Sequence, residues 1–197
     1  MKPVLTLGFD TSGPHCAGAL VRDGTIIAER LEEMTRGQAE RLMPMLEELL
    51  EEAGLGWQDL SAIGVGVGPG NFTGIRIAVS AARGLALGLG IPAVGVTGFE
   101  MRAAEGVLPA VPAPRDQVYV LQKNSDAELM PATDAEQTAT DLGLTLDAEA
   151  SPSNAGAVIA RLAAERFGSA TEPPSPLYAR SADAAPSRDT PPLILDS

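Results

Sequence analysis

Three polar residues at the end of the first apolar run are candidates for chemistry. Asp10, Thr11 and Ser12 directly follow the strand-like stretch VLTLGF. A carboxylate beside two hydroxyls can orient a metal-bound water or a phosphate, with the hydroxyls as donors. The same residues can equally well stabilise a tight turn, because Asp and Ser side chains bond to nearby backbone N–H groups. A chemical role therefore requires a second loop that faces this turn.

A glycine-rich loop later in the chain is the candidate for that second loop. The stretch IGVGVGPGNFTGIRI contains Gly68 and Gly70, which can take positive φ and allow another group to come close. Asn71 or Thr73 can cap a following helix, whose free N–H groups attract an anion. Arg76, in the first turn of that helix, can reach such an anion or pair with a nearby carboxylate.

The spacing of this loop matches neither of the common phosphate-binding motifs. It lacks the Gly-Lys-Ser/Thr ending of a Walker loop. The dinucleotide pattern requires a glycine three positions after Gly70, where Thr73 stands. From spacing alone, a strand-to-helix turn that needs glycine for packing is favoured over an anion or nucleotide loop.

The chain has one histidine and one cysteine, which excludes several classes of site. His15 is the only histidine, so a site with two histidines from this chain is impossible. A Ser-His-Asp triad would have to use His15, which lies in a tight turn, and we give that arrangement little weight. Cys16 cannot form an intramolecular disulfide, and we expect a packed thiol in a reducing cytoplasm.

The negative net charge of the chain argues against direct binding to nucleic acid. The sequence carries 14 Lys and Arg against 26 Asp and Glu, a formal net charge of -12. Because affinity for phosphates rests on Lys and Arg, a role in RNA biology requires a partner with a basic surface. No secretory leader is predicted, and residues 84–96 are too short and too interrupted to cross a bilayer, so we expect no membrane association.

The pattern of apolar residues predicts an alternation of strands and helices that positions both loops. Strands are predicted at 4–9, 16–22 and 25–31, with the hairpin dipeptide Asp23-Gly24 between the last two. A helix over 38–53, a strand over 63–67, a helix over 75–89 and a strand over 92–96 follow. This α/β order is similar to the ribonuclease-H-like half of the actin and sugar kinase superfamily, whose members bind nucleotide between two such halves.

The residues themselves resemble the TsaB family, also called YeaZ. The resemblance covers the first hundred residues almost without a gap and two short islands later. Its motifs are DTS at 10–12, RLMPMLEELLEEAGL at 41–55, GVGPGNFTGIRIAVSAARGLALGLGIPAVGVTGFE at 66–100, RDQVYV at 115–120 and PLYAR at 176–180. Asn71, Ile75 and Ala78 are mild departures from the family's glycine block, and Gln38 replaces a histidine often found there.

The resemblance implies a partner protein in tRNA modification. Members of the family pair with a catalytic relative, TsaD, and with a small ATPase, TsaE, to install threonylcarbamoyl on the adenosine next to the anticodon. The resemblance implies a chain without intrinsic catalysis that forms a heterodimer with TsaD and meets tRNA only through the complex. The apolar width of helix 38–53 predicts a homodimer in isolation, because a face meant for a similar partner can pair with its own copy.

The resemblance places the partner interface on the two N-terminal helices. Helix 38–53 carries an apolar stripe wider than packing on one sheet needs, and helix 75–89 is rich in small residues, although burial under a neighbouring helix is an equally good explanation. The predicted interface residues are Leu42, Met45, Leu46, Leu49, Ala78, Ala82 and Leu85.

The resemblance also predicts that no metal site exists. In TsaD a His-x-x-x-His pair holds a metal, and the aligned positions here are Gly98 and Arg102. The glycoprotease label of the wider family rests on that pair, so a metallopeptidase is not expected. The residues at 10–12 and the loop with Gly68, Gly70, Asn71, Thr73 and Arg76 remain a candidate nucleotide site. We expect no tightly bound cofactor, and ATP only weakly or at the partner interface.

The second half of the chain is predicted to be a shortened relative of the first. Residues 1–100 form a ribonuclease-H-like domain, 101–180 a reduced second one, and 181–197 a Pro-rich tail. A strand is predicted at 117–122, a helix at 154–167, and a short strand or a docked extension at 177–180. Residues 126–152 are poor in large apolar residues.

The alternative function is a nucleotide-binding ATPase or phosphotransferase of the same superfamily. Such an enzyme needs a second carboxylate and a phosphate loop from the second half. The glycines between residues 115 and 169 are Gly143, Gly156 and Gly168, which do not cluster, and this counts against the alternative.

Overall fold

The first hundred residues build a five-stranded sheet in the computed structural model, which describes residues 3–123, 125–170 and 172–178. Its strands are β1 (Leu5–Asp10), β2 (His15–Arg22), β3 (Thr25–Glu33), β4 (Ala62–Gly66) and β5 (Ala93–Val96). The spatial order is β3-β2-β1-β4-β5, with β1 to β3 antiparallel and β4 and β5 parallel to β1. All five strands lie where the sequence predicts them.

The hairpin between β2 and β3 has the predicted geometry. Asp23 and Gly24 both have positive φ, at 48° and 81°. A turn of this hand matches the twist of two antiparallel strands, which is why Asp-Gly is favoured there. The Asp23 side chain also accepts a hydrogen bond from the backbone N–H of Val4 at 2.9 Å, which ties the turn to the start of the chain.

Two helices cover one face of this sheet. Helix α1 (Gln38–Glu52) ends before Gly54, which takes φ 66°. Helix α2 (Phe72–Leu89) begins three residues before the predicted start at 75, because the Asn71 side chain accepts a hydrogen bond from the backbone N–H of Gly74 at 2.9 Å. Their buried side chains meet Leu5, Leu7 and Phe9 of β1 in the main hydrophobic core.

Helix α2 is long and apolar enough to cross a membrane by length and composition alone. This is a weak indication, because core helices of soluble proteins pass the same test. In this fold α2 packs on the sheet through Ile75, Ala78, Val79 and Ala82, all of which are buried.

A second sheet follows, most of which the sequence analysis did not predict. It consists of β6 (Val107–Ala113), β7 (Gln117–Val120), β8 (Glu128–Pro131) and β9 (Thr145–Asp147), with helix α3 (Ala132–Asp141) between the last two. Only β7 was predicted. Strands β8 and β9 have only four and three residues. The buried residues of α3 are Ala135 and Ala139. None of these three elements therefore shows a periodic pattern of large apolar residues.

The second sheet repeats the topology of the first. Its order, β8-β7-β6-β9, places three antiparallel strands beside a fourth that runs parallel to the first of them. This is the arrangement of β3-β2-β1-β4. Within the described residues, no strand of the second sheet corresponds to β5.

Helix α4 (Ala155–Arg166) packs on the first sheet, although it follows the second in sequence. It lies on the face opposite α1 and α2. The Thr6 hydroxyl donates to the carbonyl of Ala160 at 2.9 Å, and a Cβ at Gly8 would lie 2.4 Å from the backbone of Gly156 and Ala160. The predicted boundary at residue 100 therefore does not separate two packing units, because α4 supplies the second layer of the first sheet.

The last described segment runs back along the first sheet. The backbone N–H of Leu177 donates to the carbonyl of Val67 at 2.8 Å, which agrees with the predicted docked extension. The predicted tail at 181–197 lies outside the described residues.

The contact between β1 and α4 predicts that a methyl group added at Gly8 lowers the stability of the fold. Gly8→Ala places a Cβ against the backbone of α4, and overpacking of this kind costs about 1–3 kcal/mol. The matched control is Gly88→Ala on the exposed side of α2, where a Cβ meets no atom within 4 Å. Because glycine is a poor helix former, this control is expected to gain about 1 kcal/mol.

Urea unfolding followed by circular dichroism measures both changes. A Gly8→Ala midpoint equal to that of the unchanged protein would mean that α4 does not press on β1.

Candidate functional site

The turn after β1 buries a carboxylate and satisfies it internally. Asp10 is fully buried. Its Oδ1 accepts the backbone N–H of Ser12 at 3.1 Å, and its Oδ2 accepts the Ser12 hydroxyl at 2.8 Å. The Nε2 atom of His15 lies 2.8 Å from the same Oδ2. A buried carboxylate needs such partners, because burial without them is costly.

The glycine loop faces this turn, as a shared site requires. The backbone N–H of Asn71 donates to the carbonyl of Ser12 at 2.7 Å, and the Thr11 hydroxyl donates to the carbonyl of Gly74 at 2.6 Å. A Cβ at Gly74 would lie 1.9 Å from the Thr11 carbonyl oxygen. Glycine is thus needed here so that the two backbones can touch, and the hydroxyls of Thr11 and Ser12 bond within the protein.

Asn71 caps helix α2, whereas Arg76 contacts two aromatic side chains. The Arg76 Nε atom donates to the Tyr178 hydroxyl at 3.1 Å, and its guanidinium lies 3.8 Å from the centre of the Phe72 ring. Thr73 is exposed beside the loop and makes no cap. The partners of Arg76 here are two aromatic side chains and not a carboxylate, and its role toward an anion stays a prediction.

A cleft of about 680 Å³ opens beside these two loops, between the two sheets. Its walls come from the Asp10 turn, from the loop at Gly70, Asn71 and Phe72, and from residues 111–114 at the end of β6. Most of the wall is apolar, with Met101 and Pro152 among its residues.

Arg102 is a buried cation in the wall of this cleft. Its Nη1 atom donates to the carbonyl of Gly98 at 2.7 Å, and its Nη2 atom donates to the carbonyl of Glu149. Its Nε atom is buried without a hydrogen-bond partner, 4.0 Å from an oxygen of Asp147. Burial lowers the pKa of Arg102, and the nearby carboxylates of Asp147, Asp10 and Glu149 oppose that shift. Arg102 thus links the end of β5 to the end of β9.

No metal centre is assembled from the part of the chain that the structure describes. It contains no group of three or more His, Cys, Asp or Glu side chains placed to hold an ion. Arg102 donates hydrogen bonds and offers no lone pair to a metal.

Ser151 joins the cluster at Asp10, although the sequence does not predict it. The Ser151 Oγ atom lies 3.2 Å from His15 Nδ1, so Ser151, His15 and Asp10 form a continuous row. The fold thus brings a serine to His15 from 136 residues away. Nothing in the local sequence around Ser151 points to this contact.

The predicted partner interface needs correction. Leu42, Met45, Leu46, Leu49, Ala78 and Ala82 are buried within the chain itself, and only Leu85 is half-buried. These side chains hold α1 and α2 on the sheet, which accounts for the wide stripe. Any partner on this side meets their exposed neighbours instead, such as Pro44 and Glu47 on α1, and Gly84 and Leu87 on α2.

Comparisons with known proteins agree with the resemblance. A family model described as tRNA N6-adenosine threonylcarbamoyltransferase (TsaD) matches residues 26–185. The tRNA threonylcarbamoyladenosine biosynthesis protein TsaB of Escherichia coli (strain K12) is 35% identical over 128 residues, which cover 61% of this chain and 55% of the relative. The chain thus spans about half the length of the curated TsaB relatives it matches.

Two further relatives match along nearly the whole chain. An uncharacterized protein of Mycobacterium tuberculosis (strain H37Rv) is 31% identical over 201 residues, which cover 91% of this chain and 93% of the relative. The solved structure of YeaZ from Pseudomonas aeruginosa superposes with a TM-score of 0.67 at 29% identity, covering 89% of this chain and 99% of that one.

The burial of Cys16 predicts a pH-dependent loss of stability. Burial, assisted by the charge of Glu32, raises the pKa of the Cys16 thiol to about 12. An unfolded chain ionises its cysteine near pH ~8.5, so above that pH the unfolded state loses a proton that the folded state keeps. Stability therefore falls as pH rises, by about 2 kcal/mol between about pH 8.5 and about pH 10.

Urea unfolding at these two pH values, with Cys16→Ala as the control, isolates this contribution. The variant should lack that part of the decline. An equal decline in both proteins would show that Cys16 is not the group responsible.

Proposed function

The chain belongs to the TsaB (YeaZ) family, and from this premise we propose that it is the non-catalytic partner of TsaD in tRNA threonylcarbamoylation. The modification takes place at the adenosine next to the anticodon, and the small ATPase TsaE completes the set of proteins. The observation that carries the proposal is the match to relatives that are named for this pathway, together with a family model that extends over residues 26–185.

The chemistry of the Asp10 turn supports a non-catalytic role in that reaction. Both oxygens of Asp10 accept hydrogen bonds from Ser12 and His15, and the Thr11 hydroxyl is bonded to the glycine loop. Gly98 and Arg102 stand where the resemblance places the histidine pair of TsaD. A guanidinium donates only, so it cannot replace a metal ligand.

The fold supports a partner of similar shape. We propose that residues 5–96 are a ribonuclease-H-like half, and that the second sheet is a related half reduced by one strand, since β8-β7-β6-β9 repeats the order of β3-β2-β1-β4. Two chains of one fold can associate through equivalent surfaces around an approximate two-fold axis. The same surface then pairs with a second copy when TsaD is missing, which gives a homodimer in isolation.

The surface proposed for this contact is the exposed side of α1 and α2. On α2 it contains Ile77, Ala81, Gly84 and Gly88, which recur at helical spacing, and on α1 it contains Pro44. Small residues allow another helix to come close. Because the chain has a net charge of -12, the complex rather than this chain supplies the basic surface for tRNA. We also propose that the protein is located in the cytoplasm.

A substitution on this surface tests partner binding and function together. Gly84→Arg adds a long charged side chain at a point where a Cβ meets no atom within 4 Å, so the fold is retained. Modification of tRNA is reconstituted with TsaD, TsaE, ATP and the threonylcarbamoyl donor, and modified adenosine is read by mass spectrometry. The unchanged chain should be required for modification, and Gly84→Arg should give a folded monomer that does not support it.

The matched control is Gly168→Arg, where a Cβ also meets no atom within 4 Å. It should behave as the unchanged chain. Modification that proceeds equally without this chain would contradict the proposed role. A Gly84→Arg dimer with full activity would mean that the partner binds elsewhere.

The alternative, a nucleotide-using enzyme, is kept because of the cleft. A space of about 680 Å³ beside the Asp10 turn and the glycine loop is large enough for a small molecule. Against it, the hydroxyls of Thr11 and Ser12 bond within the protein and Arg76 donates to Tyr178. We therefore propose no tightly bound cofactor, and ATP only weakly or at the partner interface.

Calorimetric titration of the isolated chain with ATP and Mg²⁺ separates these two functions. We expect no saturation in the micromolar range and no release of phosphate, because the hydroxyls of the turn and loop are occupied. Micromolar affinity with turnover would favour the enzyme over the partner protein.

A further inference from the structure

The row formed by Ser151, His15 and Asp10 has the order of a nucleophile, a base and an orienting carboxylate. The Ser151 Oγ atom lies 3.2 Å from Nδ1 of His15, and His15 Nε2 lies 2.8 Å from Oδ2 of Asp10. All three side chains are buried, and Ser151, at 9% exposure, keeps the most exposed surface of the three.

The hydrogen-bonding partners fix which ring nitrogen of His15 can act as the base. Asp10 Oδ2 also accepts the Ser12 hydroxyl, and a carboxylate offers only acceptors, so the proton of a neutral His15 ring belongs on Nε2. Nδ1 is then a free lone pair that receives the Ser151 hydroxyl hydrogen. In a Ser-His-Asp triad one ring nitrogen accepts the serine proton and the other donates to the carboxylate. Here Nδ1 faces the serine and Nε2 faces the carboxylate, the reverse of the arrangement in chymotrypsin-like proteases.

The loop that carries Ser151 is held firmly against His15. A Cβ at Gly13 would lie 2.6 Å from the Ala150 carbonyl oxygen and 2.7 Å from His15 Nδ1, so only glycine lets the loop and the ring come together. Arg102 bonds to the carbonyl of Glu149 on the same loop. The contacts of Ala150 and Glu149, the two residues before Ser151, therefore hold the loop in place beside His15.

Ser151 lies in the wall of a depression of about 590 Å³ that adjoins the main cleft and shares Pro14, Thr35 and Ala150 with it. Glu33 and Glu149 line the same depression. The two acidic residues disfavour an anionic molecule beside the serine and favour a neutral or cationic one.

We propose that Ser151 is a nucleophile activated by His15 and Asp10, and that it attacks the carbonyl carbon of esters on neutral or cationic molecules. As the Oγ–carbon bond forms, the hydroxyl proton moves to His15 Nδ1. The ester C–O bond then breaks, and the alcohol leaves with that proton, so the acyl group stays on Ser151. Water then attacks the acyl carbon and gives a proton to Nδ1. The bond between that carbon and Ser151 Oγ breaks, Oγ takes the proton from Nδ1, and the acid is released. This activity is separate from the partner role and does not rest on it.

The first test is covalent labelling of the full chain with a neutral fluorophosphonate. The Oγ–phosphorus bond forms, fluoride leaves, and the proton passes through His15 to solvent. Peptide mapping by mass spectrometry should place the label on Ser151. Ser151→Ala should lose it, and the matched control Ser153→Ala, two residues away and exposed, should keep it. Gly13→Ala, which pushes the loop from His15, should slow labelling about 100-fold, the size of a lost general base.

The second test needs no variant and so does not depend on folding of a substituted chain. His15 is the only histidine, so its ring gives a single set of nitrogen resonances. We expect the nitrogen that faces Asp10, Nε2, to carry the proton and the nitrogen that faces Ser151, Nδ1, to be unprotonated. A proton on Nδ1, or a folded chain that carries no label at Ser151, would overturn the proposal. Equal labelling of Gly13→Ala would also overturn it, because His15 would then not act as the base.

Discussion

The approach of backbone to backbone around the first β-strand is the constraint on which this structure depends. A Cβ at Gly66 would lie 2.0 Å from the Asp10 carboxylate, one at Gly70 would lie 2.4 Å from the Ser12 carbonyl, and one at Gly74 would lie 1.9 Å from the Thr11 carbonyl. The turn after β1 is therefore enclosed by positions without side chains. This enclosure buries Asp10 and forces its oxygens to take their partners from the protein, because a buried carboxylate without hydrogen bonds is costly.

The same constraint explains how the two sheets become one molecule. Helix α4 follows the second sheet but packs on the first, where Gly8 and Gly64 leave room for its backbone. The chain that leads into α4 passes His15, so the bond to Ser151 and the bonds of Arg102 fasten the second sheet beside the Asp10 turn. A polar row at the join of the two sheets is thus a consequence of packing, and it places a serine next to an oriented imidazole.

The two sides of α1 and α2 serve different purposes. Their buried sides, with Leu46 and Ala78 at 0% exposure, hold the helices on the sheet. Their outer sides carry Pro44, Gly84 and Leu87, and Leu87 is 86% exposed. An apolar stripe in a sequence contains both sets of residues, so its width alone does not reveal which of them another protein can reach.

The sequence by itself determined the elements whose causes are local. The Asp23-Gly24 hairpin, a cap before α2 from Asn71 or Thr73, and the glycine stop after α1 each follow from one or two residues. The structure has all three, with Asn71 as the cap. The resemblance to the family also rests on contiguous motifs in the first hundred residues, and the comparisons confirm it. Tertiary structure alone decided the remainder. Strands β8 and β9 are too short to show a period, and α3 is buried through two alanines. The side of the sheet that α4 covers, and the contact of Ser151 with a histidine 136 residues away, arise only when the chain closes on itself, because no local preference encodes a partner so distant in sequence.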